Sequence, residues 1–208
     1  MTQAPDPSPG LRARQKQQRR EAITAAALAV FSEQGFAQAT LEQIANKAGV
    51  SAPTVVNYFG GKQQILLALL SEPDQQAIRE VRTRLADYTH PVDALCELEQ
   101  LMTTYQLRSL PATLWRELAP YLFTGELADT FQPWNAAVVE EARAVLVHFR
   151  AQGVIAEGTN IEVAATLFNQ YANLAFIRLA TEAVPDRDAH ARHMRSVFQL
   201  LCEGMLRR

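Results

Sequence analysis

Apolar positions along the chain recur at three- and four-residue intervals and show no sustained alternation in twos, the pattern of amphipathic helices and not of strands. Over residues 40–48, Leu41, Ile44, Ala45 and Ala48 form one apolar face, while Glu42, Gln43, Asn46 and Lys47 cover the other. Thr40 and Gln43 have the spacing of a capping box, in which the hydroxyl and the amide satisfy orphan backbone donors, so a helix is expected to begin near Thr40. Gly49 can take the left-handed conformation that ends a helix, Val50 supplies the apolar contact that follows such a stop, and Ser51 is a strong N-cap. One short helix thus stops and another starts within about three residues, the tight connection of DNA-binding helix pairs. In the second, over 51–59, Pro53 falls in the first turn, where a missing N–H costs little. Val55 and Phe59 fall four apart and are expected to face inward, which leaves Ala52, Thr54, Asn57 and Tyr58 outward. Gly60 and Gly61 make the next turn, and Lys62 opens the following helix.

The same periodicity organises the rest of the chain. A helix over 14–34 is expected from Ile23, Ala27, Val30 and Phe31, stopped by Gly35 with Phe36 as the apolar partner of the stop. Residues 62–88 read as helical, with Pro73 expected to kink or restart the helix near Ser71. Further helices are expected over 91–108, 112–124, 126–152, 160–183 and 186–206, separated by Pro111, Gly125, the 153–158 stretch and Pro185. Thr159 and Glu162 repeat the capping-box spacing ahead of the fourth of these. Residues 1–10, with three prolines and a glycine, are too polar and broken to pack and are expected to form a disordered tail. The expected fold is all-α, with about nine helices: a three-helix helix-turn-helix domain over 11–61, then a helical effector-binding and dimerisation domain over 62–208.

The outward residues of the second short helix suit a DNA groove. Thr54 and Tyr58 carry hydroxyls for phosphate, Asn57 can pair with a base edge, and Ala52 with the Thr54 methyl could meet a thymine methyl. Lys62, together with the amides at its helix N-terminus, could hold a phosphate. Taken together, T-L-x-x-I-A-x-x-A-G-V-S-x-x-T-x-x-x-Y-F-x-x-K resembles the DNA-binding signature of the TetR family of bacterial transcriptional regulators, over roughly residues 19–70. The resemblance implies backbone contacts at Thr40, Ser51, Thr54, Tyr58 and Lys62, with Ala52, Pro53 and Asn57 among the base-facing positions. Pro53 stands where many members have Gly, and Val56 where an aromatic is common, so the operator sequence does not transfer from relatives. The resemblance also implies that the 62–88 helix links the DNA head to the body and is the lever by which one moves the other.

Charge supports this division: through Lys62 there are seven Lys and Arg against four Asp and Glu, and beyond it thirteen against eighteen. A basic head on an acidic body fits phosphate binding by the head. The basic run Arg12, Arg14, Lys16, Arg19 and Arg20 could lie along phosphates or enter the minor groove as an arm; a solvated helix start is the other reading. Cys96 and Cys202 lie far apart without metal-site spacing, and they read as buried thiols in a reducing cytoplasm. No apolar run has the length of a membrane span and no signal-peptide pattern appears, so a cytoplasmic protein without membrane contact is expected.

The last two helices carry so much apolar surface that one side is expected to face a second subunit, through Leu167, Tyr171, Leu174, Met194, Val197, Phe198, Leu201 and Met205. Homodimerisation would also let two heads reach successive major grooves ~34 Å apart on a palindromic operator. Tyr105, Trp115, Tyr121, Phe123, Phe131 and Trp134, with Asn169 and Asn173, are the candidate lining of a small-molecule effector cavity; the alternative for the aromatics is ordinary core. No cofactor or metal is expected. His190 and His193 share a helix face with no third ligand, and they read as a solvated or partner-facing pair. Glu140 and Glu141 are adjacent and diverge. No nucleophile elbow, phosphate loop or dinucleotide fingerprint is present, so an enzyme is the remote alternative. A ligand-independent activator or architectural factor is the nearer one.

Overall fold

The computed structural model describes residues 9–122 and 127–203, and among these it has nine α-helices and no β-strand. They are α1 (Pro9–Gln34), α2 (Leu41–Ala48), α3 (Ala52–Phe59), α4 (Lys62–Arg84), α5 (Pro91–Ser109), α6 (Ala112–Leu122), α7 (Ala128–Ala151), α8 (Ile161–Thr181) and α9 (Arg187–Glu203), with a 3-10 turn at Leu85–Asp87 after α4. The expected tail up to residue 8, Phe123 and Met205 lie outside the described residues. The chain divides into two compact units, Met1–Ala68 and Leu69–Arg208.

In the first unit, α1 begins at Pro9, earlier than expected, because a proline in the first helical turn gives up only a donor that would be orphaned there anyway. The basic run therefore lies on the exposed start of this helix. Ile23, Ala27, Val30 and Phe31 of α1 are buried, as are Ile44 and Ala45 of α2, Val55 of α3, and Ile65 and Leu66 of α4. Packing of α1 on α2 and of α2 on α3 makes a three-helix head.

In the second unit, α7 lies along α8, α5 packs on α9, and α6 on α8. The core they enclose includes Val81, Leu95, Leu98, Leu146, Phe149, Phe168, Met194 and Phe198. α4 runs through Pro73 as one helix. The turn that the proline interrupts is held from outside, since Gln106 Nε2 donates to the Leu70 carbonyl at 2.6 Å. α8 is capped by Asn160, whose side chain accepts from the Val163 amide, and not by Thr159.

Ala164, Ala165, Phe168, Ala172, Ala175 and Leu179 of α8 are buried, while Val163, Leu167 and Leu174 stay exposed. Met194 and Phe198 are not available to a partner: both are core, and the Phe198 ring stands 4.8 Å from that of Phe168. Cys96 and Cys202 are buried free thiols. Among the described residues no helix is long and apolar enough to cross a membrane.

The capping of α2 gives a direct test. Thr40→Ala removes one arm of an observed capping box and should lower the unfolding free energy by about 1 kcal/mol. Chemical denaturation of both proteins measures it, and no change would mean that the cap does not hold the helix.

Candidate functional site

The helix pair at the centre of the head is built by the local signals that its sequence carries. Thr40 Oγ1 accepts from the Gln43 amide at 3.2 Å, and Gln43 Oε1 accepts from the Thr40 amide at 2.9 Å, closing the box. Gly49 takes φ 67°, a left-handed conformation in which a side chain would be strained. Ser51 caps α3 by accepting from the Thr54 amide at 3.3 Å, and the two hydroxyls lie 2.8 Å apart. Two links join α1 to α2: the paired amides of Gln34 and Gln43, and an ion pair between Glu33 and Lys47.

This frame leaves Ser51, Pro53, Val56 and Asn57 exposed and Ala52, Thr54 and Tyr58 half-buried, while Val55 is wholly covered. The expected groove-facing set therefore shares the open side of α3. Val56, 44% exposed, joins it as an apolar contact surface that the sequence reading had marked only as a departure. Phe59 is less deeply placed than expected; the Arg20 guanidinium stacks over its ring at 4.3 Å.

Lys62 is engaged within the head. Its Nζ donates to the carbonyls of Phe36, Ala37 and Ala39 at 2.9, 3.0 and 3.0 Å and lies 4.8 Å from the centre of the Phe36 ring. An ammonium has three N–H donors, so all three are engaged on backbone and none remains for a phosphate. Lys62 fastens the turn between α1 and α2 to the start of α4.

In the body, the candidate lining residues separate. Trp134 and Asn173 border a cavity of about 30 Å³, together with Asp74, Glu99, Met102, Thr103, Gln106, Phe168, Ala172 and Phe176. Asn169 and Asn173 border a groove of about 960 Å³ between α6, α7 and α8, where Asn173 Nδ2 donates to Asn135 Oδ1 at 3.0 Å. Trp115 and Phe131 are buried core, Trp115 edge-on to Phe176 and Phe131 edge-on to Trp134. Tyr121 is exposed, and Tyr105 donates to Glu80 Oε1 at 2.7 Å; neither borders the cavity or the groove.

What the sequence reading missed is the polar content of this core. Gln106 Nε2 and Trp134 Nε1 donate to the two oxygens of Asp74 at 3.0 and 2.8 Å. Glu99 Oε1 accepts from Thr103 Oγ1 at 2.7 Å and lies 2.7 Å from His190 Nε2. His190 is therefore a buried partner of Glu99 and not a solvated residue, whereas His193 pairs with the Tyr171 hydroxyl at 2.6 Å. Burial pushes the Asp74 carboxyl up to about 7, against the opposing pull of its two hydrogen bonds. The signal was present: Glu99, Thr103 and Gln106 fall at four- and three-residue spacing and put a polar stripe on one face of α5. Glu140 and Glu141 do diverge, to Arg143 and Arg82 respectively. Among the described residues no three His, Cys, Asp or Glu side chains gather closely enough to hold a metal ion.

A capped helix-turn-helix with an open polar face, followed by an all-helical body, is the arrangement of helix-turn-helix DNA-binding proteins. Residues 23–69 match the family model described as bacterial regulatory proteins, tetR family. Over 80 residues the chain is 39% identical to the transcriptional regulator HbdR of Aromatoleum sp. strain CIB, covering 38% of this chain and 35% of that protein. With the transcriptional repressor NicS of Pseudomonas putida it shares 34% over 102 residues, 48% and 47% of the two chains. The chain thus matches between about a third and a half of the length of these curated relatives. The structure of Thermus thermophilus FadR, a TetR-family repressor in complex with lauroyl-CoA, is similar over 91% of this chain and 96% of that one, with a TM-score of 0.71 and 29% identity. The chain is thus similar to bacterial transcriptional regulators of the TetR family, by the family model over residues 23–69 and in fold over most of its length.

The engagement of Lys62 sets up a clear contrast. Lys62→Ala should lower the stability of the head by about 2 kcal/mol, the order of a charge-assisted hydrogen bond. In protein kept folded, it should leave the slope of log affinity for DNA against log salt unchanged. A slope reduced by about one unit with stability intact would return Lys62 to the phosphate contacts.

Proposed function

We propose that the protein is a cytoplasmic homodimeric repressor that reads a palindromic operator and is released when a small molecule enters the helical body. The observation that carries this reading is the open face of α3, where Ser51, Ala52, Pro53, Thr54, Val56, Asn57 and Tyr58 are presented by a helix capped at both ends. In the proposed complex α3 lies in the major groove. Asn57 reads a base edge, Val56 and Ala52 meet apolar base surface, and the Thr40, Ser51, Thr54 and Tyr58 hydroxyls contact the sugar-phosphate backbone. Lys62 holds the turn behind them.

A dimer is supported by the outer stripe of α8. Leu167 and Leu174 are 48% and 47% exposed, Val163 is exposed beside them, and Tyr171, Val197 and Leu201 are half-covered. Large aliphatic side chains in line on one helix suit an isologous four-helix interface. The effector reading is supported by the cavity and groove of the body, and by the lauroyl-CoA complex of the Thermus thermophilus relative. Release requires that the effector bind the DNA-incompetent form better, because only differential affinity shifts the equilibrium.

Selection of bound duplexes from a random pool by the purified protein tests the reading as a whole. The expected product is a palindrome whose half-sites lie about one helical turn apart. Asn57→Ala should relax preference at particular positions of that sequence at a cost of about 1–3 kcal/mol of discrimination. No enrichment at low salt by folded protein would overturn it. Leu167→Asp together with Leu174→Asp should yield folded monomers in analytical ultracentrifugation, with operator affinity lost; an unchanged dimer would place the interface elsewhere.

A further inference from the structure

We infer that the cavity bordered by α4, α5, α7 and α8 recognises a small organic cation, a protonated amine held through its N–H donors by Asp74 and Glu99. The inference rests on the effector reading above and gives that effector a charge.

The argument is a count of hydrogen-bonding ends on the cavity wall. Glu99 is 2% exposed; its Oε1 is engaged by Thr103 and His190, but its Oε2 accepts from no described residue. Gln106 is also buried, and its Oε1 accepts from no described residue either. The Gln106 amide cannot simply be turned round, because both neighbours of its Nε2, the Leu70 carbonyl and Asp74 Oδ1, are acceptors. Of the nearby donors, Trp134 Nε1 is committed to Asp74, and one of the two N–H groups of Asn173 Nδ2 to Asn135. Among the described residues the wall thus offers free acceptors on and beside carboxyl groups, with the second N–H of Asn173 as the one donor they could face. A carboxylate or phosphate placed there would meet like charge, whereas an ammonium would complete the set.

Trp134, Phe168 and Phe176 contribute aromatic surface, which also favours a cation. A metal ion is the poorer fit, since among the described residues no three candidate ligands gather. The volume of about 30 Å³ admits an ammonium head but not a bulky tail. The cavity adjoins, at Asn173, the groove of about 960 Å³ whose wall includes Val139, Leu174 and Ile177, an apolar surface of the kind a tail would need. Asp74, held near 7 by burial, would be driven to ionise by an arriving cation. The other ionisable groups facing this cavity are Glu99 on α5 and, behind it, His190 on α9. α7 and α8 bring Trp134 and Asn173, which do not titrate.

The test is calorimetric titration of the full-length protein with hexylammonium, 1-hexanol, hexanoate and lauroyl-CoA. Hexylammonium should bind at pH 8 about tenfold or more tightly than hexanol, with hexanoate weaker still, and its affinity should fall as the pH is lowered from 8 to 6. Glu99→Gln and Asp74→Asn, both near-isosteric, should each weaken the ammonium by about tenfold. The comparison among ligands uses the native protein and does not depend on either variant folding. Tighter binding of hexanol, hexanoate or lauroyl-CoA, or no binding of hexylammonium, would overturn the inference.

Adding each ligand to the complex with a selected duplex separates the two claims. Ammonium that binds without releasing DNA supports the cation site and sinks the effector reading. Release by lauroyl-CoA or hexanoate alone keeps the effector reading and overturns the cation site.

Discussion

Two helices of eight residues cannot hold themselves in water, since isolated helices shorter than about 12–15 residues are marginal even with favourable composition. α2 and α3 each have that length, so the whole helix-turn-helix head depends on how their ends are fixed. The Thr40–Gln43 box starts the first, Gly49 stops it in a conformation most residues avoid, and Ser51 starts the second before the chain has gone two residues further. Lys62 then ties the beginning of α4 to the carbonyls of the turn ahead of α2. These bonds are local and polar. They fix direction, while burial of Ile44, Ala45 and Val55 supplies the adhesion.

The body follows a different logic. Its helices are long, its core is apolar, and it could be closed with aliphatic side chains throughout. Instead it buries Asp74, Glu99 and Glu141. Buried ionisable groups rarely stabilise more than apolar residues of the same shape would, because desolvation opposes what their partners return. Glu141 has a charged partner in Arg82, held at 2.7 Å, which accounts for it structurally. Asp74 has two neutral donors, and Glu99 keeps one oxygen unengaged by any described residue. Carboxyl groups kept at that cost, beside a cavity, are better explained by what the cavity receives than by the stability of the core.

The contrast explains what could be read from the sequence. The helix pair α2 and α3 was legible almost to the residue, because caps and glycine stops act between neighbours in the chain and leave fixed spacings such as Thr40 to Gln43. The helical character of the body was legible from its period. Partners were not. The carbonyls that engage Lys62 lie more than twenty residues away in the chain. Met194 and Phe198 looked available to a second subunit because an apolar stripe does not say which neighbour covers it; their own core does. Trp115 and Phe131 looked like cavity lining for the same reason. His190 and Glu99, ninety-one residues apart, could be joined only by the fold.

On the proposed mechanism α4 carries a polar anchor at each of two places. Lys62 fixes its start to the turn of the head, and Asp74 lies in the turn that Gln106 and Trp134 hold. A ligand that changes the ionisation or the hydrogen bonding of Asp74 acts on the residues beside Pro73, where the helix ladder already lacks a bond. Coupling of 1–3 kcal/mol is enough to alter operator affinity about five- to 150-fold. That is the size of one or two charge-assisted hydrogen bonds. No large rearrangement of the apolar core is required, only a preference of a few such bonds for one setting of α4 over another. A proline-weakened turn with a buried carboxyl, its pKa raised by burial, is a place where that preference can be set by charge.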